Sequence, residues 1–356
     1  MSKLKRNFRS LGMNAATYAV VIVGYLVMQL LSNAGMLTRS INGYLVPICV
    51  YIVLAVSLNL VVGISGELSL GHAGFMGVGT FTGIAIAACM KGAVDSDAVR
   101  LICALLGGGL MAGLTGLLVG IPVLRLQGDY LAIVTLAFGE ILKNIIGNIY
   151  IGKDSNGLHV ALTQAGLHME ADGTNILSGP LGATGVEKLS TFFAGFLLIL
   201  FTLFVVLNLI SSKEGRAIKA VRDNRIAAES VGINVTAFRL KAFVFSAVLA
   251  GMAGALYGLN YSAVAPSKFG FNTSIDILVF VVLGGMGNIL GSVISATVLY
   301  VLPEAMRGLE DYRMLLYAVV LILVMLFTWS PKVKEFTSMA GDKVKKLFSK
   351  KEVGEK

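Results

Sequence analysis

Long apolar runs, separated by short polar or charged segments, make up most of the chain. A helix needs about 20 apolar residues to cross the hydrocarbon core of a bilayer, and most of these runs reach or approach that length. The pattern therefore predicts an all-α polytopic integral membrane protein with about eight full spans. The predicted spans are residues 15–31, 41–62, 63–87, 98–124, 130–149, 191–210, 243–259 and 314–329.

Two apolar segments are interrupted by glycine. Glycines crowd residues 63–87, around one acid, Glu67, and one histidine, His72. Broken backbone is tolerated at membrane depth only where protein or a water-filled cavity covers it, so we expect this segment inside the bundle. Residues 275–302 are too long for one span and are interrupted at Gly284, Gly285, Gly287 and Asn288. They predict a membrane hairpin, two short helices that enter and leave on the same face.

Charge predicts which loops lie in the cytoplasm, because Lys and Arg concentrate on that side of membrane proteins. Residues 213–241 hold seven Lys or Arg against three acids, whereas residues 150–189 hold two Lys against four acids. We therefore expect a cytoplasmic loop at 211–237, an external loop at 150–189 and both termini in the cytoplasm. Residues 1–330 would form the transmembrane domain, and 331–356 a basic cytoplasmic tail.

The first apolar run has the preceding cations of a signal peptide, but it is long and lacks a convincing cleavage site. We expect it to remain as an uncleaved helix.

The composition supports a membrane protein and narrows its chemistry. The chain is 56% hydrophobic with a mean hydropathy of +0.81, and only 14% of its residues are charged, against about a quarter in soluble domains. The net charge of +9 is clustered beside apolar runs, which indicates lipid headgroups rather than nucleic acid. Three cysteines lie in apolar runs without a CxxC spacing, so neither a disulfide framework nor a zinc site is predicted.

One segment, Gly147–Asp154, has the GxxxxGK spacing of a phosphate-binding loop. It lacks the following Ser or Thr and continues a membrane helix instead of a strand. We expect no nucleotide site and no cofactor in this chain.

Two ionisable residues in apolar segments are candidates for function. A carboxylate deep in the membrane costs on the order of 3 kcal/mol, so Glu140 is either a functional group or the ion-pair partner of Lys143, three residues later. His72 either makes a structural hydrogen bond at a helix break or lines a transport path with Glu67. No further ligands cluster near these residues in the sequence, so a metal site is not predicted.

The basic segment has helical periodicity in residues 217–231, with an apolar stripe at Ile218, Val221, Ile226 and Val231. It is either an ordinary cytoplasmic loop or a short helix that docks on a soluble partner. The second alternative explains why the loop has more organisation than the topology requires.

Four segments, in this order, carry a family pattern. They are NLVVGISGELSLGHAGFMGVG at Asn59–Gly79, LQGDYLAIVTLAFGEILK at Leu126–Lys143, GRAIKAVRDNRIAAESVGINVTAFRLKAFVFSAVLAGMAGALYG at Gly215–Gly258 and VLGGMGNILGSVISA at Val282–Ala296. Together they resemble the permease subunits of ABC importers for branched-chain amino acids, the LivM-like family. The resemblance extends from Leu45 to Phe327 and implies an all-helical permease of the bacterial inner membrane.

The resemblance implies that the chain works with partners. These are a second homologous permease subunit, two ATP-binding cassette ATPases that bind ATP and Mg²⁺, and a soluble substrate-binding protein. Many permeases of ABC importers contain EAA, three residues and then Gly. Residues 226–228 and Gly232 keep that frame, with Ile226 in place of Glu and no LP pair downstream. The implied ATPase-coupling residues are Gly215, Arg216, Lys219, Arg222, Asp223, Arg225, Ala227, Ala228, Glu229 and Gly232.

The sequence predicts a subunit that imports leucine, isoleucine or valine and is not itself an enzyme. The candidate translocation-path residues are Gly71, His72, Gly74, Gly128, Asp129, Tyr130, Glu140, Gly284, Gly285 and Asn288. Two alternatives stay open: the same machinery carrying urea, amides or other amino acids, and an ion-coupled secondary transporter that uses Glu140. A membrane-embedded enzyme is not supported, because no paired nucleophile and base is visible.

Overall fold

The computed structural model describes residues 2–35, 39–92, 94–126, 128–154, 157–166 and 173–305, together with 318, 319 and 322. The chain divides into two compact units, residues 1–298 and 299–356. The contacts that bear on function lie within the first unit. Most of the predicted last span at 314–329, and all of the basic tail at 331–356, lie outside the described residues.

The described residues contain eleven α-helices and one π-helix. The α-helices are α1 (Ser2–Asn33), α2 (Arg39–Asn59), α3 (His72–Cys89), α4 (Asp97–Val123), α5 (Asp129–Ile146), α6 (Phe192–Ser211), α7 (Lys213–Asp223), α8 (Arg225–Ser230), α9 (Val235–Gly258), α10 (Phe271–Gly284) and α11 (Ile289–Ala305). The π-helix (Leu60–Ser65) continues α2 directly.

Six of these helical segments are long and apolar enough to cross a membrane: α1, α2 with the π-helix, α3, α4, α6 and α9. This agrees with a polytopic membrane protein. The predicted span at 130–149 forms the 18-residue helix α5, which carries three charged side chains and is not among the six. The described residues therefore hold six candidate spans and two shorter apolar helices, α10 and α11.

A small antiparallel sheet corrects the all-α prediction. Its strands are β1 (Tyr150–Asp154), β2 (Gly157–Ala161), β3 (Thr174–Ser178), β4 (Ala183–Thr184) and β5 (Ala263–Val264), in the order β2-β1-β3-β4-β5. Four strands come from the predicted external loop, and β5 comes from the segment after α9. Strands of two to five residues carry little periodicity, and their pairing depends on contacts distant in sequence.

The centre of the bundle is packed through small residues. A Cβ built on Gly79 of α3 would collide with the backbone of Gly251 in α9, and one on Gly254 with the carbonyl O of Met76. Thr80 Oγ1 donates to the carbonyl O of Gly254 at 2.8 Å. Small residues let helix backbones approach closely in membranes, where apolar side chains gain little from avoiding lipid.

The sheet and the helix pair α7–α8 lie at opposite ends of the bundle. Helix α6 begins soon after β4 and ends at α7, while α9 begins soon after α8 and ends near β5. The 24 residues of α9 correspond to about 36 Å of helix. This length is enough to separate the two faces of a bilayer.

Two short antiparallel helices, α10 and α11, occupy the position of the predicted membrane hairpin. Helix α10 stops at Gly284, and Gly285 follows with φ of +91°. A Cβ on Gly284 would lie 2.5 Å from the carbonyl carbon of Gly291, so the two arms touch near the turn. Ser295 Oγ donates to the carbonyl O of Phe280 at 2.6 Å, which holds α11 antiparallel to α10.

Candidate functional site

The helix break before α3 is held by side chains from neighbouring helices. The π-helix ends at Ser65, and Gly66 follows with a φ of +78° that favours glycine. The N–H of Leu70 donates to Thr135 Oγ1 of α5 at 3.0 Å, and the N–H of Ala73 donates to Ser274 Oγ of α10 at 3.1 Å. Two backbone N–H groups that the break leaves without a helical partner are therefore satisfied, as the apolar surroundings require.

The start of α3 lies in backbone contact with α5. A Cβ on Gly71 would collide with the carbonyl O of Thr135, and one on Gly74 would lie 2.9 Å from Cα of Gly139. A Cβ on Gly139 of α5 would in turn lie 3.0 Å from Cα of Gly71. Side chains at these positions would push α5 away from the break.

His72 is buried and bonded within the bundle. Its Nε2 lies 2.9 Å from Ser57 Oγ, and the same hydroxyl donates to the carbonyl O of Leu54 at 2.9 Å. Because a hydroxyl has only one hydrogen, we assign the proton between the two side chains to His72 Nε2. The carbonyl O of Ser57 also accepts from Ser246 Oγ of α9 at 2.6 Å. These contacts favour the structural alternative for His72.

The turn of the hairpin is bonded to Asn59, the last residue of α2. Asn59 Nδ2 donates to the carbonyl O of Asn288 at 3.1 Å and to Ser292 Oγ at 2.7 Å. Its Oδ1 accepts from the N–H of Gly287 at 2.8 Å. Asn59 is fully buried. The sequence pattern does not identify these partners.

The basic segment forms two short helices instead of the one predicted over 217–231. Ser212 Oγ accepts from the N–H of Gly215 at 3.1 Å and caps α7. Asn224 lies between the helices, and its Oδ1 accepts from the N–H of Ala227 at 3.0 Å. An Asn side chain at this position ends one helix and begins the next, because it replaces a helical hydrogen bond.

The apolar stripe of this segment is divided between interior and surface. Ile218 and Val221 of α7 are buried, whereas Ile226 and Val231 are 80% and 74% exposed. Gly215 and Ala228 are buried, so they pack the segment internally. The other predicted coupling residues are exposed or half-buried: Arg216, Lys219, Arg222, Asp223, Arg225, Ala227, Glu229 and Gly232.

A cavity of about 280 Å³ lies between the α7–α8 pair and the helix break. Arg222, Arg225 and Arg239 line it, together with Glu67 and Gly128. Both the Nε and Nη2 groups of Arg239 bind the Glu67 carboxylate, and both side chains are nine-tenths buried. This ion pair connects the helix break before α3 with the first turns of α9.

Glu140 is engaged by two partners. Its carboxylate forms an ion pair with Lys143 and accepts from the N–H of Phe271 at 2.8 Å. Phe271 is the first residue of α10, where an acid is favoured by the helix dipole. The contacts support the ion-pair alternative for Glu140.

An ion cluster at the sheet end of the bundle has no counterpart in the predicted site residues. Arg100 Nη2 donates to Glu187 Oε2 at 2.7 Å and to the carbonyl O of Ala87 at 3.1 Å. Lys91 Nζ lies 3.0 Å from Glu187 Oε1. Hydrogen bonds from Arg100 and Lys91 lower the pKa of the Glu187 carboxyl. In the sequence, this cluster is indicated only by Arg100, an arginine at the start of an apolar run.

The predicted path residues lie in four places. They are Gly71, His72 and Gly74 at the helix break; Gly128, Asp129 and Tyr130 at the start of α5; Glu140 beside α10; and Gly284, Gly285 and Asn288 at the hairpin turn. Across the part of the chain that the structure describes, no group of three or more His, Cys, Asp or Glu is arranged to hold a metal ion.

This chain is similar in sequence to known proteins over most of its length. Residues 40–326 match the family described as "Branched-chain amino acid transport system / permease component". The high-affinity branched-chain amino acid transport system permease protein LivM of Salmonella typhimurium is 35% identical over 301 residues, which cover 80% of this chain and 67% of the relative. LivM of Escherichia coli K12 is 35% identical over 307 residues, with the same coverage. The corresponding LivH of Salmonella typhimurium is 25% identical over 282 residues, 78% of this chain and 88% of the relative.

Proposed function

This chain belongs to the family of permease components of branched-chain amino acid transport systems, and from that premise we propose that it imports leucine, isoleucine or valine as one subunit of an ABC importer. It is a multi-pass membrane transport component and not an enzyme. The proposal covers the substrate, the direction of transport, the partners and the residues that couple transport to ATP.

Two kinds of permease subunit support the proposed assembly. The chain is similar both to LivM and to LivH, two permease proteins named for the same kind of transport system in one organism. A second, homologous permease is therefore the expected partner, with the substrate path between the two. Two ATP-binding cassette ATPases would bind the ATP and Mg²⁺, and a soluble binding protein would deliver the substrate.

The arrangement of charge supports an orientation in the bacterial inner membrane. The basic helices α7 and α8 would face the cytoplasm and the sheet would face the outside, since the two lie at opposite ends of α6 and α9. The proposed topology keeps both termini in the cytoplasm and counts about eight spans plus the α10–α11 hairpin.

One observation carries the coupling assignment: two large apolar side chains, Ile226 and Val231, are 80% and 74% exposed on one charged segment at one end of the bundle. Neighbouring exposed apolar side chains are stabilised when a partner covers them. We place the ATPases on this surface, within residues 215–232. The ATP-bound motor would drive transport by binding one conformation of the permease pair more tightly than the other.

The ion-coupled alternative requires a carboxylate that is free to bind a proton or sodium ion. The Glu140 carboxylate already has Lys143 and the N–H of Phe271 as partners. This favours the ATP-driven reading.

Uptake by reconstituted proteoliposomes tests the proposal. We expect labelled leucine to enter vesicles only with binding protein outside, ATP enclosed and both ATPases present. Excess isoleucine or valine should compete, and urea or acetamide should not. Uptake driven by a proton or sodium gradient without ATPases would contradict the ABC assignment. Competition by urea and not by isoleucine would contradict the substrate.

A further inference from the structure

Arg222 connects the coupling segment with the π-helix. Its Nη1 donates to the carbonyl O of Gly63 at 2.9 Å, while Nε and Nη2 bind Asp223 at 3.2 and 3.0 Å. Its aliphatic stem covers Gly66, where a Cβ would lie 2.6 Å from Arg222 Cγ. The side chain is 40% exposed, so one part of it lies at the surface while its guanidinium group reaches the bundle.

Gly63 is also in direct contact with the hairpin turn. A Cβ on Gly63 would collide with the backbone N of Gly287 and would lie 2.9 Å from its Cα. The π-helix and the turn therefore meet backbone to backbone, and the side-chain oxygen of Asn59 lies beside the same contact. A movement of Gly63 must move Gly287 or break this contact.

Asn59 fastens the same turn through side-chain hydrogen bonds. It reaches the N–H of Gly287 and the carbonyl O of Asn288 in the turn, and the hydroxyl of Ser292 in the first turn of α11. Gly285 and Gly287 have φ of +91° and +83°, outside helical geometry. The amide of Asn59 thus replaces hydrogen bonds that a continuous helix would have made within itself.

We propose that Arg222, Gly63 and Asn59 form a mechanical link that transmits the movement of α7 to the turn of the α10–α11 hairpin. Arg222 and Asn59 are then positioning residues for transport, and the hairpin turn is the element that they move. The inference rests on the proposed function, because it assumes that ATPases act on α7 and α8. The π-helix between the two contacts is a rare geometry that is frequent at functional sites.

The link predicts a loss of coupling instead of a loss of assembly. Arg222→Met keeps the stem that covers Gly66 and removes the donor to Gly63. Asn59→Leu keeps the side-chain volume and removes the three hydrogen bonds. In proteoliposomes matched for the amount of bound ATPase, leucine uptake per ATP hydrolysed should fall about threefold to tenfold in each variant. The double variant should be no worse than the worse single variant, because both interrupt one chain of contacts.

Conservative and matched variants separate the link from a general structural role. Arg222→Lys keeps a hydrogen-bond donor and should retain much of the wild-type leucine uptake per ATP hydrolysed. Ser292→Ala removes one of the three Asn59 contacts and should give a smaller fall in the same direction, even if Asn59→Leu does not assemble. Arg125→Met removes an exposed arginine at the end of α4, and Ser295→Ala removes a hairpin hydrogen bond that Asn59 does not touch. Both controls should keep the wild-type ratio.

Three results would overturn the link: an unchanged uptake per ATP in Arg222→Met, an unchanged ratio in both Asn59→Leu and Ser292→Ala, or losses that multiply in the double variant. Failure of the proposed function itself is seen earlier, as the absence of ATP-dependent leucine uptake by the wild-type complex.

Discussion

Gly79 lies where α3 crosses α9, and replacing it with alanine tests how the bundle is packed. A Cβ at this position would collide with the O, Cα and C atoms of Gly251. These are backbone atoms that cannot rotate away, so the two helices must separate. Gly108 of α4 packs against the carbonyl O of Gly79, so the displacement reaches a third helix.

The size of the effect follows from this contact. Restoring ordinary separation moves the helices apart by on the order of 1 Å, and such a gap loses about a quarter to a half of the dispersion energy of the facing atoms. Overpacking typically costs about 1–3 kcal/mol, and rigid backbone on both sides puts Gly79→Ala at the upper end. The higher helix propensity of alanine offsets up to about 1 kcal/mol of this destabilisation. We expect a net destabilisation of about 2 kcal/mol.

Thermal unfolding in detergent measures this change. Cys49 is 3% exposed, so a thiol-reactive fluorophore reports the exposure of its thiol on unfolding, in a background with Cys89→Ser and Cys103→Ser. The matched control is Gly24→Ala in α1, where a Cβ has no neighbour within 4 Å. Gly79→Ala should unfold several degrees below the parent protein and the control should not. Equal unfolding temperatures for the two variants would refute the packing of α3 against α9.

Three further substitutions test individual ion pairs. Glu67→Gln leaves the guanidinium of Arg239 unpaired, which should lower the free energy of unfolding by about 3–5 kcal/mol in the same assay. Adding Arg239→Met should recover part of this loss. An unchanged unfolding temperature in Glu67→Gln would contradict the buried pair. Because the pKa of Glu187 is lowered, its charge stabilises the fold above the ordinary carboxyl pKa of about 4.3 and this contribution is lost as the pH falls. Glu187→Gln should therefore lower the unfolding temperature at neutral pH and have less effect near pH 4; an equal effect at both would count against the cluster. Glu140→Gln should leave ATP-driven leucine uptake within a few-fold of wild type, whereas complete loss at unchanged stability would support a role in transport.

The helix break and the hairpin turn could be predicted because their signal is local. Glycine density in residues 63–87 and at 284–287 is read directly from neighbouring positions. Both segments do interrupt helices. The basic segment is also predicted by local charge, whereas its division into two helices depends on a single capping residue, Asn224.

The parts that could not be predicted depend on pairing between distant residues. Strand β5 pairs with β4 across the whole of α6 to α9, and Asn59 bonds residues 287–292 of another element. One sequence does not encode such partners in its periodicity. For the same reason, the predicted coupling set mixed buried packing residues, Gly215 and Ala228, with exposed side chains.

The central claim, that separate ATPases drive this permease through α7 and α8, is tested most directly at Ile226. Ile226→Arg places a charge on the exposed apolar side chain of α8, which has no packing role in the described fold to lose. The control is Leu158→Arg, an exposed apolar position on β2 at the other end of the bundle. We predict that Ile226→Arg loses co-purification of the ATPase subunits at unchanged unfolding temperature, while Leu158→Arg retains them. Full retention of the ATPases and of ATP-driven leucine uptake by Ile226→Arg would contradict the claim.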